Sequence, residues 1–169
     1  MLLFALCATF VFGATVSRPA ADKKKTETKK KTETKKKERV YLIHADKLFY
    51  ERWQNNDAQV LQGNVEFEHN GAHLYCDSAN FYEDTNSFEA FGNVKMLQGD
   101  TLSLISDYGY YDGNDQLMQA LDNVVMKHRG TVLYTDSLYY DRLWKMGYFQ
   151  EGGKMVDKTT TLISDWGEY

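Results

Sequence analysis

From Val40 to Tyr169 the chain falls into runs of roughly ten to fourteen residues, rich in Tyr, Phe, Val, Leu and Thr and bounded by short turn signals. The turn signals are Asn55-Asn56-Asp57, Asn70-Gly71, Asp84-Thr85-Asn86, Gly99-Asp100, Asp112-Gly113-Asn114-Asp115, Arg129-Gly130 and Asp157-Lys158. They predict strands over Val40–Glu51, Ala58–His69, Ala72–Glu83, Ser87–Gln98, Thr101–Tyr111, Gln116–His128, Thr131–Asp141, Lys145–Val156 and Thr160–Tyr169. Short Gly- and Asn-containing turns make consecutive strands antiparallel neighbours. No run combines a helical period with helix caps, and the only proline, Pro19, precedes the runs.

The runs are copies of one unit. Asp46, Asp77, Asp107, Asp136 and Asp165 are spaced 31, 30, 29 and 29 residues apart. Three positions before each stands Ile43, Leu74, Leu104, Leu133 or Leu162. One position before stands a small residue, Ala45, Cys76, Ser106, Thr135 or Ser164. Four positions after stands an aromatic, Tyr50, Phe81, Tyr111, Tyr140 or Tyr169. A second marker falls midway: Gly63-Asn64-Val65, Gly92-Asn93-Val94, Asp122-Asn123-Val124, and a degenerate Glu151-Gly152-Gly153. A period of this size signals a repeat architecture.

Runs this long are expected to bend or bulge at their centres, where the Asp or the Gly-Asn stands. Gly permits a positive φ there, and Asn tolerates one. A bent strand contributes to two sheets. The expected architecture is therefore all-β: an elongated β-jellyroll, an antiparallel meander folded along its length and grown by repetition. By strict alternation the Leu/Ile and small columns share one face. The residues two before the Asp (Tyr75, Ile105, Tyr134, Ile163) then share the other face with the aromatic column. That places the Asp on an apolar face, so either a bulge turns it outward or it hydrogen-bonds to turn backbone, since a column of unpaired buried carboxylates is too costly.

Composition divides the chain. Met1 to Ala14 is apolar and uncharged, too short to span a bilayer, and reads as a secretory signal within residues 1–20. Residues 21–39 form a Lys/Thr/Glu linker with nothing apolar to bury, expected to be disordered. Its stretch from Asp22 to Arg39 carries a net charge of +6, either as a solvated linker or as a tether to anionic head groups. Residues 40–169 hold nine Lys and Arg against 20 Asp and Glu, a net charge of −11. So acidic a domain is a poor partner for nucleic acid. The repeat stops at the aromatic of its fifth copy, where a sheet would show a bare edge, so the domain is expected to continue further.

The sequence offers little for chemistry. His44, His69, His73 and His128 have no partner at metal-ligand spacing, so no metal and no cofactor are expected. Gly-x-Ser-x-Gly, phosphate-loop and dinucleotide fingerprints are absent. Asp112-Gly113-Asn114-Asp115 resembles a calcium loop, but Asn123 stands where the closing Glu belongs, and a hairpin turn fits better. An Asp present in every copy (Asp46, Asp77, Asp107, Asp136, Asp165) reads as a structural ladder with Gly63, Asn64, Gly92, Asn93 and Asn123, and no catalytic pair stands out. Cys76, in the small column, reads as a small buried residue. Tyr110-Tyr111, Tyr139-Tyr140, Trp53, Trp144 and Trp166 read as packing, with a sugar-stacking surface as the alternative.

The pattern Ile43-x-Ala45-Asp46-x-Leu48-x-Tyr50 followed by Gly63-Asn64-Val65, repeated at Cys76-Asp77 and Ser106-Asp107, resembles the OstA-like family, which includes the periplasmic lipopolysaccharide-transport protein LptA. The resemblance covers residues 40–169. It implies a non-enzymatic β-jellyroll holding lipopolysaccharide, or a similar amphiphile, by its acyl chains in an apolar groove. The repeat columns supply the groove candidates: Ile43, Leu74, Phe81, Leu104, Tyr111, Leu133, Tyr140 and Leu162. It also implies end-to-end assembly with other jellyroll domains through edge strands, Val40–Glu51 being the natural docking edge, and self-association by the same route. The implied location is the periplasm, with outer-membrane association as a further reading. The Lys/Thr/Glu tract, the acidity of the domain and the degenerate later Gly-Asn copies depart from the family pattern. The alternative is a structural or adhesive β-repeat protein of the cell envelope with a dry core and no lipid.

Overall fold

The computed structural model describes residues 38–51 and 58–169. The expected signal, residues 21–37 of the expected linker, Trp53 and the Asn55-Asn56-Asp57 turn lie outside the described residues. The described chain forms β1 (Tyr41–His44), β2 (Lys47–Glu51), β3 (Ala58–His69), β4 (Ala72–Tyr82), β5 (Ser87–Gln98), β6 (Leu102–Asp112), β7 (Leu117–His128), β8 (Thr131–Asp141), β9 (Met146–Phe149), β10 (Gly153–Val156), β11 (Thr161–Ser164) and β12 (Gly167–Glu168). Among the described residues there is no helix. β3, β5 and β8 coincide with their expected spans. Three expected strands are each broken in two at the repeat marker: Val40–Glu51 into β1 and β2, Lys145–Val156 into β9 and β10, Thr160–Tyr169 into β11 and β12.

All twelve strands belong to one antiparallel sheet in the order β1-β3-β4-β5-β6-β7-β8-β10-β11, with β2 on β3, β9 on β8 and β12 on β9. The register slips at every marker, for instance between Gln62 and Val65 on β3 and between Ile105 and Tyr108 on β6. These slips fold the sheet along a line through the middle of its long strands. One half-sheet holds β1, β10, β11 and the parts of β3–β8 next to the turns at Asn70-Gly71, Gly99-Asp100 and Arg129-Gly130. The other holds β2, β9, β12 and the remaining parts of β3–β8. The core lies between them. Phe67 of the first half stacks on Phe88 of the second, with ring centroids 4.2 Å apart and planes at 9°.

The fold line is built from the two markers acting on each other. Gly63-Asn64, Gly92-Asn93 and Asp122-Asn123 are consecutive residues at positive φ. Each pair opposes the Asp of the preceding strand. Asn64 Nδ2 donates to Asp46 Oδ2 at 2.9 Å, Asn93 Nδ2 to Asp77 Oδ2 at 2.8 Å, and Asn123 Nδ2 to Asp107 Oδ2 at 2.6 Å. Gly92 sits so close beneath this bond that a Cβ there would lie 2.6 Å from Asp77 Oδ2. On the inner side, Ser106 Oγ donates to Tyr108 O at 2.8 Å and Thr135 Oγ1 to Ser137 O at 3.1 Å. Where the small column is Ser106 or Thr135, its hydroxyl thus pins the backbone across the Asp bulge. In the fourth copy Gly152 stands where the Asn would be, and Asp136 meets no side-chain amide from it.

Strict alternation is overturned at the same place. Along β4 the buried positions are Ala72, Leu74, Cys76, then Ala79 and Phe81. The parity changes at Asp77, because the bulge inserts one extra residue. The Leu, small and aromatic columns therefore all face the core: Leu104, Ser106 and Tyr111 on β6, and Leu133, Thr135 and Tyr140 on β8. The residues two before the Asp face outward instead, with Ile105, Tyr134 and Ile163 exposed. The bulge also turns Asp77, Asp107 and Asp136 to solvent, which removes the cost of burying them.

Candidate functional site

The interior between the half-sheets is one continuous apolar cluster running from Val40 to Phe149. Leu74, Phe81, Leu104, Tyr111, Leu133 and Tyr140 all line it. Ile43 and Leu162 do not; they are 55% and 57% exposed. β1 slips register between Leu42 and His44. That slip puts Leu42 opposite Phe67 and turns Ile43 outward. Leu162 lies on β11, where it pairs with Met155 of β10, and β11 has a neighbour on one side only. A methionine column escaped the sequence reading. Met96, Met126 and Met155 stand three residues after the midpoint position, matching Phe67, and Met118 faces the same interior. Only the spacing from Asn93 and Asn123 could have revealed it.

Side chains fill the interior. The cavity bounded by Phe67, Leu74, Phe88 and Met96 holds about 10 Å³, against several hundred Å³ for an ordinary ligand pocket. Methionine is the side chain best able to repack around something inserted. Buried Cys76 contributes a thiol pushed up to about 12 by burial, an inert apolar wall. Of the aromatic pairs, Tyr111 and Tyr140 point inward, while Tyr110 and Tyr139 lie on the outer face, where Tyr139 stacks on Tyr148 at 5.0 Å. Trp144 and Trp166 are exposed. A separate open depression of about 490 Å³ lies beside the degenerate marker, against Val125, Tyr134, Gly152 and Ile163.

The two half-sheets meet again along a seam opposite the fold line, where their turns face each other. A chain of hydrogen bonds crosses it. Arg142 Nη1 donates to Tyr111 Oη at 2.6 Å. Tyr111 Oη lies 2.8 Å from His69 Nδ1, and His69 Nε2 lies 3.2 Å from Glu38 O. With Nε2 protonated, every donor in this chain meets an acceptor. Val40 N donates to Asn86 Oδ1 at 2.7 Å, so residues 38–40 run along the same seam. Farther along, the Tyr169 ring packs edge-on against His128 at 5.8 Å. The aromatic column marks Tyr111 and Tyr169, but nothing in the repeat pattern joins them to His69, Arg142 or His128. They belong to different copies and meet only through the fold.

Burial, and then the Arg142 charge, hold His69 below the ordinary histidine pKa. His69 is therefore neutral in the folded chain at neutral pH and free to protonate in the unfolded one near pH ~6.5. Its contribution to stability is complete above that value and is lost as pH falls through the lowered folded value. The urea midpoint is expected to fall between pH 7.5 and 5.5, and to fall less in His69→Gln, which keeps a donor without a titrating ring. Equal slopes in both chains would contradict this.

Residues 37–169 match the OstA-like protein family. No curated protein sequence matches the chain. Among solved structures, the chain is similar to LptH from Pseudomonas aeruginosa, described as the LptA-homologous periplasmic component of the lipopolysaccharide transport device. The TM-score is 0.56 at 14% identity, over 64% of this chain and 79% of that one. That likeness establishes a shared fold, and the family match spans the whole repeat region. The chain belongs to the OstA-like protein family.

Proposed function

We propose that this chain is a non-enzymatic lipopolysaccharide-transport domain of the periplasm, taking the acyl chains of lipopolysaccharide or a similar amphiphile between its two half-sheets. The observation that carries this is the uninterrupted apolar interior, lined in its middle by the adaptable Met96, Met118 and Met126. An acyl chain requires an apolar lining and no specific chemistry. Family membership and the likeness to LptH support the same reading. The groove residues proposed are Leu74, Phe81, Leu104, Tyr111, Leu133 and Tyr140.

End-to-end assembly is part of the proposal. The edge formed by β1 and β2 exposes Tyr41, Ile43, Leu48, Phe49 and Tyr50, and the opposite edge exposes Leu162, Ile163 and Trp166. Edges with unpaired backbone groups and apolar side chains favour strand addition by another jellyroll domain or a second copy. A domain boundary near residue 40, after a secretion signal and a basic linker, completes this reading.

One observation favours a second reading, a structural envelope protein with a dry core: the interior is filled. Photo-methionine, a close isostere of methionine, separates the two without disturbing the packing. The full chain, made with this analogue in a lipopolysaccharide-containing cell and irradiated, is expected to carry lipid adducts on the peptides holding Met96, Met118 and Met126. Met146 is exposed and reports contact from outside. Adducts confined to Met146, or none at all, would establish the dry core.

A further inference from the structure

Arg142 follows β8, in the turn that faces the seam, and is 4% exposed. Its acceptors are all neutral: Tyr111 Oη at 2.6 Å, Asn70 O at 3.3 Å and Gln98 Oε1 at 3.4 Å. Among the described residues, no carboxylate forms an ion pair with it. Yet residues 40–169 contain 20 Asp and Glu. A buried charge ordinarily acquires a counter-ion, because an unpaired one is costly. Carboxylates stand nearby, with Glu38 and Glu68 acting on His69 and Asp112 on Tyr111, yet among the described residues none pairs with this buried cation.

Position gives this a meaning. Arg142 shares the wall of the small interior cavity with Phe67, Leu74, Phe88 and Met96. A cation therefore stands at the rim of an apolar interior. Asn70 and Gln98 belong to the opposite half-sheet, at its turns. Because the interior is filled, an acyl chain can be admitted only if the half-sheets part. Parting removes the Asn70 and Gln98 acceptors and leaves the guanidinium facing the opening, held by Tyr111. Farther along, Arg129 and Lys145, from turns on the two sides, both act electrostatically on His128. With Glu38 and Glu68 acting on His69, and Asp112 on Tyr111, the seam carries both signs of charge, on a domain of net charge −11.

We infer that Arg142 is an anion-binding residue of the amphiphile site, receiving the phosphate or carboxylate of a head group whose acyl chains lie between the half-sheets. This rests on the lipid-binding reading above and names the charge of the lipid that reading leaves open. The planar guanidinium suits bidentate capture of either oxyanion. The incoming anion supplies the missing counter-ion at the step that strips the neutral acceptors away. The acidic exterior offers an anion few alternatives.

The test uses the full chain and a fluorescent anthroyloxy fatty-acid methyl ester as an uncharged probe of the interior. Lipid A and the same lipid A stripped of its phosphates compete for the probe. The expected result is that the phosphorylated lipid competes better by about tenfold or more, as a charged hydrogen bond is worth. The preference should collapse in Arg142→Gln and survive in part in Arg142→Lys, with circular dichroism checking that each variant is folded. If Arg142→Gln does not fold, the wild-type comparison and Arg142→Lys still decide. Equal competition by the two lipids in the wild-type chain overturns the anion site and leaves the apolar interior standing. Failure of the probe and both lipids to bind overturns the lipid reading and this inference with it. Loss of the preference in millimolar inorganic phosphate would assign the site to free phosphate and overturn its role in holding a head group.

Discussion

Leu104→Asp is expected to leave the chain unfolded. Leu104 is 0% exposed at the middle of the sheet, opposite Met96 on β5 and Met126 on β7. Removing a buried leucine costs about 2–5 kcal/mol in transfer and cavity terms. The carboxylate then has to be buried without a partner or protonated, at further cost. Together these approach the whole stability of a small domain, about 5–15 kcal/mol. Far-ultraviolet circular dichroism should show the β signal lost in the absence of denaturant. Ile105→Asp, one residue on, places the same charge on an outward, 40% exposed side chain. It should shift the urea midpoint by less than ~1 kcal/mol equivalent. A folded Leu104→Asp chain would mean that the interior opens to water cheaply, and a filled, dry interior would then be the wrong description of the core. The contrast also disqualifies a buried charge as a test of lipid binding, since losing the fold and losing the ligand look alike.

Most of the fold was legible because the repeat wrote it several times. The nine expected runs correspond to the observed strands, and the bend was foreseeable from Gly63-Asn64 and Gly92-Asn93, residues that accept positive φ. The direction each column faces was not. Alternation is a local rule, and the single extra residue at Asp77 or Asp107 reverses it for everything downstream. Hence Phe81, Tyr111 and Tyr140 were assigned to the face opposite the Leu column, whereas they share the core with it, and Tyr50 of the same column is 62% exposed. Ile43 was misplaced for a related reason: one residue of slip in β1 gives its inward position to Leu42. The lining of the interior was legible in Leu74, Leu104 and Leu133, because a column repeats. The seam was not. The aromatic column picks out Tyr111, but His69, Tyr111 and Arg142 are joined only by folding the sheet, so no spacing announces their meeting. The anion site inferred at Arg142 comes from this seam, where Arg142 itself belongs to no repeat column.

Phe88→Ala is expected to cost about 3–5 kcal/mol, the second-largest loss, and to weaken both half-sheets together. Phe88 lies in the second half-sheet beside Tyr111, with centroids 5.3 Å apart, and reaches across the interior to stack on Phe67 of the first. A double-mutant cycle with Phe67→Ala should show a coupling of about 0.5–1.5 kcal/mol, the usual worth of an aromatic pair beyond its area. Hydrogen exchange should accelerate in the Val94–Gln98 part of β5 as well as in Ser87–Phe91, because the two are parts of one bent strand. Acceleration confined to Ser87–Phe91 would mean that the half-sheets are independent, and the folded-sheet core would be the wrong description. On the lipid-binding proposal, the same stack sets the energy of admitting a lipid. Parting the half-sheets separates Phe67 from Phe88, so an acyl chain must replace those contacts before it binds with any net gain. Phe88→Ala removes that obstacle in advance and leaves a void of acyl-chain width. If the interior is the lipid site, added lipid A should raise the Tm of Phe88→Ala by more than it raises that of the wild-type chain, because the ligand then stabilises the folded form without first breaking it open.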